Sequence, residues 1–261
     1  MITVLFSLLA LGGIAFIFGG ALSYANKMFK TEEDPKIAAM RASMPGVNCG
    51  GCGFAGCEAF MRAVSNENVN PETCPVLSPE SLEEIGRITG MAVARDVKLT
   101  AFIRCAGDDK NSRSRYEYRG LDDCAAMSRL VGGGYKTCPY GCLGGSTCEK
   151  ACKFGAIRRV GGIAAVDETK CAGCGVCVKA CPKKIIGLIP AGSEIRIACA
   201  SHETAAAVKR ACAVGCIGCG ICARVCVKNA ITIENALAKI DYSKCDDCGA
   251  CKSKCPAGCI V

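Results

Sequence analysis

The apolar residues are concentrated first in one long stretch near the beginning of the chain. Ile2 to Leu22 carries no charge, and 21 residues of helix at about 1.5 Å each span roughly 31 Å, the thickness of a bilayer core. Basic residues follow it, so the positive-inside rule places the rest of the chain in the cytoplasm. A cleaved signal peptide is the alternative, but no basic segment precedes the stretch, which is also longer than such a peptide's apolar region. We predict a transmembrane anchor over residues 1–25.

The next part of the chain has apolar residues at helical spacing. Thr31 to Met44 predicts a linker that leads into a short amphipathic helix, and Ala55 to Asn66 predicts a second helix. Ser78 and Pro79 are typical of the start of a third helix, because Ser caps a helix and Pro fits its first position. The apolar face of this third helix consists of Leu82, Ile85, Ile88 and Val93.

From Lys98 onward the apolar segments become short. Segments of this length between turn residues predict strands rather than helices. The predicted strands lie at Leu99–Ile103, Ala156–Ile157, Ile185–Ile186, Ile195–Ala198 and Ala230–Ile231. The pattern as a whole therefore predicts an α+β protein behind an N-terminal membrane helix.

The composition shows that something besides large side chains must fill the interior. The 261 residues include 25 Cys but only eight Phe, six Tyr and no Trp. Disulfides are one explanation, but the number of cysteines is odd and their spacings are tight. Zinc uses thiolates in separated CxxC pairs. Runs of three Cys followed closely by a fourth Cys, often with Pro next, are typical of iron–sulfur clusters.

The first group of cysteines lies in a glycine-rich stretch, where Gly lets the backbone fold tightly around a cluster. A [4Fe–4S] cluster needs a fourth ligand, and the next cysteine along the chain is followed by Pro75. Zinc or buried free thiols are the alternatives, but CxxC-x4-C is not a usual zinc spacing. The predicted ligands are Cys49, Cys52, Cys57 and Cys74.

The second half of the chain contains an internal repeat. The segment from Val166 to Cys171 matches the segment from Ile240 to Cys245, and four runs of four cysteines follow the same order twice. This is the pattern of a bacterial two-cluster ferredoxin, in which the fourth Cys of each run binds the other cluster. The crossed ligand sets are Cys138, Cys142, Cys148 and Cys181; Cys171, Cys174, Cys177 and Cys152; Cys216, Cys219, Cys222 and Cys255; and Cys245, Cys248, Cys251 and Cys226.

Five cysteines remain outside these sets. The simplest hypothesis is that they are buried thiols that act as small apolar side chains. Two sharper hypotheses stay open, namely one disulfide or redox pair per module, or a sixth cluster. The five are Cys105, Cys124, Cys199, Cys212 and Cys259.

The net charge does not indicate nucleic-acid binding. The formal charge is +8, but each oxidised [4Fe–4S] cluster with its thiolates carries about −2, so five clusters bring the chain to about −2. A nucleic-acid site is expected to alternate aromatic with basic residues, and the sequence contains no such stretch. The basic stretch Lys110–Arg119 predicts either a solvated loop or a docking site for an acidic electron carrier. His202 predicts a surface residue, and Gly132–Gly134 predicts a turn.

The order of these parts resembles the B subunit of the Rnf complex, a membrane-bound electron-transport complex. The stretches Gly46–Cys57 and Lys136–Cys152, which includes Tyr140-Gly141-Cys142-Leu143-Gly144, carry most of the resemblance. Many family members have one ferredoxin-like module, whereas this chain has two. The implied boundaries are a membrane anchor at 1–25, a linker at 26–45, a small α-rich four-cysteine domain at 46–97, and 2[4Fe–4S] modules at 98–192 and 193–261.

The resemblance implies a specific function with five [4Fe–4S] clusters. The chain would take electrons from reduced ferredoxin and pass them to membrane-embedded and flavin-bearing Rnf subunits. The complex would reduce NAD or another acceptor and translocate Na⁺ or H⁺, so this subunit belongs to an enzyme without holding a complete active site. It would be a single-pass protein of the cytoplasmic membrane in contact with the lipid bilayer, its soluble domains on the cytoplasmic side. The alternatives are a tethered relay subunit of another reductase or a hydrogenase, and a structural zinc-binding scaffold.

Overall fold

The computed structural model describes residues 2–29, 34–66, 69–94 and 97–261. Its first element is helix α1, Ile2–Met28, whose described side chains are exposed along almost its whole length. Leu9–Met28 within it is long and apolar enough to cross a membrane, which supports the predicted helix. Helix α1 continues into the linker predicted at residues 26–45, of which residues 30–33 lie outside the described residues.

Three helices form a small domain after the anchor. They are α2 (Pro35–Ser43), α3 (Cys57–Asn66) and α4 (Pro79–Thr89), with a 3₁₀ turn at Pro71–Thr73. The Ser78 side chain accepts a hydrogen bond from the Ser81 N–H, which confirms the predicted cap. Helix α4 ends at Gly90 in the left-handed region, so Val93 lies beyond the helix although it still packs on Gly86. The core of this domain has large side chains, among them Met40, Phe60, Met61 and Ile85.

The remaining elements are short and belong to the two repeated modules. The strands are β1 (Leu99–Ile103), β2 (Ile157–Val160), β3 (Ile163–Val166), β4 (Ile186–Pro190), β5 (Ile231–Glu234) and β6 (Leu237–Ile240). The helices are α5 (Cys124–Ser128), α6 (Thr147–Ala151), α7 (Val176–Ala180), α8 (Ala205–Ala211), α9 (Ile221–Val225) and α10 (Ala250–Ser253). A 3₁₀ turn at Val131–Gly133 agrees with the turn predicted at the triple glycine.

The strands pair in antiparallel pairs. Strands β2 and β3 form one hairpin, β5 and β6 form another, and β1 pairs with β4. Both hairpin turns have two residues at positive φ, Gly161–Gly162 and Asn235–Ala236, as the tight hairpin turn requires. The loops that follow Cys142 and Cys216 lie against these two turns. A Cβ on Gly144 would lie 2.4 Å from the Gly162 carbonyl oxygen, so only Gly fits there.

The two modules have the same arrangement, except that the β1–β4 strand pair of the first module corresponds to an isolated bridge in the second. Ile103 pairs with Ile186 at the end of β1, and Ile197 pairs with Ile260 at the corresponding place in the second module. The strand predicted at Ile195–Ala198 is reduced to an isolated bridge at Ile197, which is flanked by backbone hydrogen bonds between Arg196 and Val261. The bond from the Ala198 N–H to the Cys259 carbonyl corresponds to the bond from the Arg104 N–H to the Ile185 carbonyl.

The cores of the modules differ from the core of the first domain. Cysteines alternate there with Ala, Ile and Val, and Phe154 at the edge of the first core is the one aromatic residue among the described members of either core. Each of these two cores combines thiols with a few isoleucines and small side chains and has no buried aromatic or Met residue among its described members. The space between the elements is thus organised around the cysteines.

Candidate iron–sulfur centres

The glycine-rich loop of the first domain is held in a fixed shape. Asn48 adopts a left-handed φ of 49°, and its side chain accepts a hydrogen bond of 2.7 Å from the N–H of Cys57, the first residue of α3. Burial raises the pKa of the Cys74 thiol, and negative charge on nearby Cys52 and Cys49 would raise it further. The structure thus brings Cys74 to the loop cysteines, as the sequence predicts.

The crossed set in the first module is brought together as predicted. Burial raises the pKa of the Cys177 thiol to about 11, and Cys174, Cys171 and Cys152 are close enough to raise it further. Cys152 belongs to a different run from the other three. Its presence here agrees with the exchange of fourth ligands that two-cluster ferredoxins use.

The second set of the first module differs from the prediction in one member. Cys142, Cys148 and Cys181 line one cavity together with Cys124, whereas Cys138 lies elsewhere. Burial raises the pKa of Cys148 to about 12, and the neighbours that raise it further are Cys142, Cys124 and Cys181, followed by Cys177. The structure therefore places Cys124 where the sequence analysis placed Cys138.

The repeat explains this replacement. Gly141-Cys142-Leu143-Gly144-Gly145 aligns with Gly215-Cys216-Ile217-Gly218-Cys219, so glycine stands where the second module has its second cysteine. A Cβ on Gly145 would lie 2.8 Å from the backbone N of Cys124, which means that the Cys124 backbone fills this space. The glycine was the sequence signal that could have identified the missing ligand.

Helix α5 is held in place by polar contacts beside the thiols. The Cys124 N–H donates to the Thr147 hydroxyl at 2.7 Å, and that hydroxyl donates to Asp123. Asp123 also caps α5, and the bond from the Ala126 N–H holds the pKa of this carboxyl below its usual value. Since Thr147 directly precedes Cys148, these bonds fix Cys124 relative to the run.

The second module also brings most of its predicted ligands together. Cys216, Cys219, Cys222 and Cys255 line one cavity, and Cys259 also lines it, with its sulfur 3.6 Å from that of Cys255. Burial raises the pKa of Cys251, and nearby Cys245 and Cys226 raise it further, so the fourth cysteine is again exchanged. Cys219 and Cys248 are the two exposed cysteines among all 25.

The sulfur atoms receive backbone hydrogen bonds of the kind that stabilise thiolates. Ala101, Ala156, Ala164 and Ala230 donate N–H groups to Cys171, Cys152, Cys142 and Cys226 at 3.3–3.5 Å. A cluster ligand must be deprotonated, and such donors favour the charged form. Buried thiols that raise one another's pKa are unfavourable as free anions, whereas iron removes that conflict. The residues therefore fit [4Fe–4S] clusters.

The alternatives of zinc and disulfides receive no support from the geometry. All 25 cysteines are free. Within the described ranges, no group of three or more His, Cys, Asp or Glu side chains is close enough to hold a single metal ion. A zinc ion would draw its thiolates to about 2.3 Å from one point, whereas four irons keep their ligands further apart.

The remaining features have the following places. Cys105, Cys138, Cys199 and Cys212 line a further cavity, in contact with both modules. Cys259 occupies the core position that Ile185 has in the first module, which favours its role as an apolar side chain. His202 is exposed, as predicted. In the stretch Lys110–Arg119, Arg119 pairs with Glu117 and Arg115 donates to the Thr137 carbonyl, and its docking role stays a prediction.

Three family models match the chain at these groups of cysteines. The model FeS ("Putative Fe-S cluster") matches residues 44–76, the model Fer4 ("4Fe-4S binding domain") matches 164–187, and the model Fer4_7 ("4Fe-4S dicluster domain") matches 215–259. Together with the helix that could span a membrane, they define the class: a membrane-associated iron–sulfur electron-transfer protein with ferredoxin-like [4Fe–4S] domains.

Relatives of similar length identify the family. The chain is 42% identical over 252 residues, 96% of its length and 75% of the relative's, to the B subunit of the Na⁺-translocating ferredoxin:NAD⁺ oxidoreductase complex of Acetobacterium woodii. It is 42% identical over 264 residues, all of its length and 93% of the relative's, to the proton-translocating counterpart of Clostridium ljungdahlii. It is 37% identical over 251 residues, 96% of its length and 95% of the relative's, to the B subunit of the ion-translocating oxidoreductase complex of Methanosarcina acetivorans. The chain belongs to this family of Rnf complex B subunits and is an iron–sulfur subunit of such an oxidoreductase complex.

Proposed function

We propose that the chain holds at least five [4Fe–4S] clusters and conducts electrons from soluble reduced ferredoxin to the membrane-embedded and flavin-bearing subunits of its complex. When bound, each cluster accepts and releases one electron at a time. The domain boundaries predicted above remain part of this proposal. The ligand sets are Cys49, Cys52, Cys57 and Cys74; Cys152, Cys171, Cys174 and Cys177; Cys124, Cys142, Cys148 and Cys181; Cys216, Cys219, Cys222 and Cys255; and Cys226, Cys245, Cys248 and Cys251.

The observation that carries the proposal is the contact between successive ligand loops. A Cβ on Gly51 would lie 2.6 Å from the Cys174 carbonyl oxygen, and the Lys179 ammonium donates to the Gly51 carbonyl at 3.4 Å. The first-domain loop thus packs directly on a loop of the first module. Cys148 and Cys177 in turn connect the two sets of that module. Cys177 is close enough to Cys148 to raise its pKa, and each of the two belongs to a run that exchanges its fourth ligand.

Exposure supports the second module as the place where the donor binds. Cys219 and Cys248 are exposed, whereas the ligands of the first module are buried or half-buried. A soluble donor can therefore approach the second module most closely. The first domain follows the anchor directly in sequence and so delivers electrons near the lipid.

The anchor supports the proposed location. Phe6, Leu9, Phe16 and Phe18 on α1 are all more than 60% exposed, and nothing in the described part of the chain covers them. A lipid bilayer or partner helices would cover such a surface. The basic residues that follow the apolar stretch support soluble domains on the cytoplasmic side of a single-pass protein of the cytoplasmic membrane. The coupled reaction we propose is reduction of NAD, or of another acceptor, with outward transport of Na⁺ or H⁺.

Anaerobic purification of the native membrane assembly tests this function. We expect flavin-bearing and multi-span subunits to copurify, and we expect membranes with Cys57→Ala or Cys74→Ala to lose oxidation of reduced ferredoxin, because a cluster with three ligands is labile. Copurification of hydrogenase subunits would support a relay function in another complex. Unchanged ferredoxin oxidation by both variants would contradict the proposed path.

A further inference from the structure

The cavity between the two modules combines cysteines that the five ligand sets leave out. Its volume is about 250 Å³, and Cys105, Cys138, Cys199 and Cys212 all line it. The thiols also interact: burial raises the pKa of Cys138, with Cys105 and Cys212 as neighbours that raise it further. Burial likewise raises the pKa of Cys212, and its neighbours Cys105 and Cys199 raise it further. A Cβ on Gly107 would lie 3.4 Å from the Cys212 sulfur and 3.6 Å from the Cys105 sulfur.

The four cysteines form two equivalent pairs. Cys138 and Cys212 each stand four positions before the first cysteine of a run, at Cys142 and Cys216. Cys105 and Cys199 each stand two positions after the paired isoleucine, Ile103 or Ile197. Each module therefore contributes the same two positions to the cavity. Such symmetry is expected of a site built at the contact between two copies of one module.

Each sulfur also has backbone donors, as in the ferredoxin-like sites. The Cys142 N–H donates to the Cys105 sulfur at 3.4 Å, and the Ser201 N–H donates to the Cys199 sulfur at 3.5 Å. Burial raises the pKa of the Cys199 thiol, and the nearby backbone of Cys216 lowers it, at the position equivalent to that of Cys142 beside Cys105. The cavity is therefore connected on one side to a ligand of the first module and on the other side to a ligand of the second.

The wall of the cavity carries more positive than negative charge: Lys136, Arg104, Arg115 and Arg210 line it, with Glu203 as the one carboxylate among its lining residues. Lys136 is 1% exposed, and its ammonium donates to the Gly107 carbonyl at 2.7 Å. No carboxylate in the described ranges lies within ion-pair distance of Lys136, and a buried ammonium needs negative charge nearby. Arg104 also lines the cavity, and its Nε is a buried donor without a hydrogen-bond partner among the described residues.

We propose that Cys105, Cys138, Cys199 and Cys212 bind a sixth [4Fe–4S] cluster, which connects the two modules. The cluster and its thiolates carry about −2 when oxidised, which balances Lys136 and the arginines. The site lies between the ligands Cys142 and Cys216 and closes what would otherwise be a gap in the conducting path. With it, 24 of the 25 cysteines have a ligand position, and Cys259 is the remainder. The site does not depend on which donor or acceptor the complex uses.

Iron and acid-labile sulfide analysis of the anaerobically purified full chain tests the proposal. We expect about 24 irons and 24 sulfides per chain, compared with about 20 for five clusters. Cys199→Ala should lose about four irons and one component of the Mössbauer spectrum, and Cys105→Ala should lose the same component. Cys259→Ala, which removes a buried thiol without a ligand role, should keep all the iron.

A second variant tests the site without removing a ligand. Lys136→Met keeps the length of the side chain and removes its charge, so the iron count should stay the same. The potential of the component that Cys199→Ala removes should become more negative, because a positive charge stabilises the reduced cluster. If Cys199→Ala fails to fold, the iron count of the unmodified chain and the Lys136→Met titration still decide. About 20 irons in the unmodified chain, one zinc lost with Cys199→Ala, or an unchanged potential in Lys136→Met would overturn the proposal.

Discussion

At the residue scale, one glycine determines which cysteine completes a proposed ligand set of the first module. Cys219 in the second module corresponds to Gly145 in the first, and the backbone of Cys124 occupies the place of the missing side chain. Cys105 and Cys199 are 94 positions apart, whereas Cys138 and Cys212 are 74 apart, so the first module has 20 additional residues between its two cysteines. Cys124 lies within this insertion. The insertion thus supplies the proposed ligand Cys124 in place of the cysteine that the run lacks at position 145.

The ligand assignment can be tested by combining two substitutions. Cys124→Ala should lose about four irons per chain, since one cluster then has three ligands. Cys138→Ala should also lose about four irons, but from a different cluster. The double variant should therefore lose about eight irons, measured as iron per chain after anaerobic purification. If both cysteines bound the same cluster, the double variant would lose about four.

Most of the proposed ligands can be predicted from the sequence because the spacing within a run is local. Cys216, Cys219 and Cys222 are recognisable without any tertiary information, and the exchange of the fourth cysteine is a property of the repeated motif. Cys124 could not be recognised in this way, because it comes from an insertion 18 residues before Cys142 and reaches the site through tertiary packing. Likewise, Cys105 and Cys199 become neighbours only when the two modules pack together.

At the scale of elements, the sequence predicted the helices of the first domain and most of the short strands. The apolar spacing and the Ser78 cap determine α4 locally, which explains why that prediction is confirmed. Ile195–Ala198 has the composition of a strand, but strand formation depends on a partner, and the backbone bonds to Cys259 and Val261 support only an isolated bridge at Ile197. The contact between the first domain and the first module has no signal in the sequence except the glycine at position 51.

Gly51→Ala tests this contact. The added Cβ would lie 2.6 Å from the Cys174 carbonyl oxygen, so the two loops must move apart. Overpacking of this kind costs about 1–3 kcal/mol. Here it weakens the contact between the first domain and the first module by that amount. We expect the iron content to stay the same, while electron transfer from the first module to the Cys49–Cys74 site becomes slower in stopped-flow reduction. Gly187→Ala is the matched control, because its added methyl group meets nothing within 4 Å.

An unchanged rate in Gly51→Ala would mean that the two loops are not in the conducting path. A loss of about four irons would instead mean that the substitution damages a cluster rather than the contact between loops. The two results are therefore distinguished by measuring iron and rate on the same preparation.

At the scale of the whole molecule, the contacts arrange the six proposed sites in one series. The first domain meets the first module at Gly51, and the exchanged ligands connect the two sites of each module. The cavity lined by Cys105, Cys138, Cys199 and Cys212 connects the modules. The anchor and the exposed Cys219 and Cys248 lie at opposite ends of this series of contacts. A linear series gives a soluble donor and a membrane acceptor separate places on one subunit.

The same organisation makes folding depend on iron to different degrees along the chain. The first domain buries Met40, Phe60, Met61 and Ile85, each of which contributes about 1.5–3 kcal/mol when fully buried. The modules bury thiols together with isoleucine and alanine but no large aromatic side chain, so we expect clusters to supply much of what holds the modules together. We therefore expect removal of iron to unfold the modules before it unfolds the helices of the first domain.

Hydrogen exchange measured before and after chelation of iron tests this expectation. Amides of the hairpins β2–β3 and β5–β6 should lose their protection when iron is removed, because their cores contain little besides cysteine, alanine and isoleucine. Amides of α3 and α4 should keep part of theirs, because Phe60 and Ile85 belong to one apolar core that remains without the cluster. The control is the same measurement after iron and sulfide are restored, which should return the hairpins to their original protection. Protected hairpins in the iron-free chain would mean that the small apolar cores suffice to fold the modules, and that the cysteines were placed for electron transfer alone.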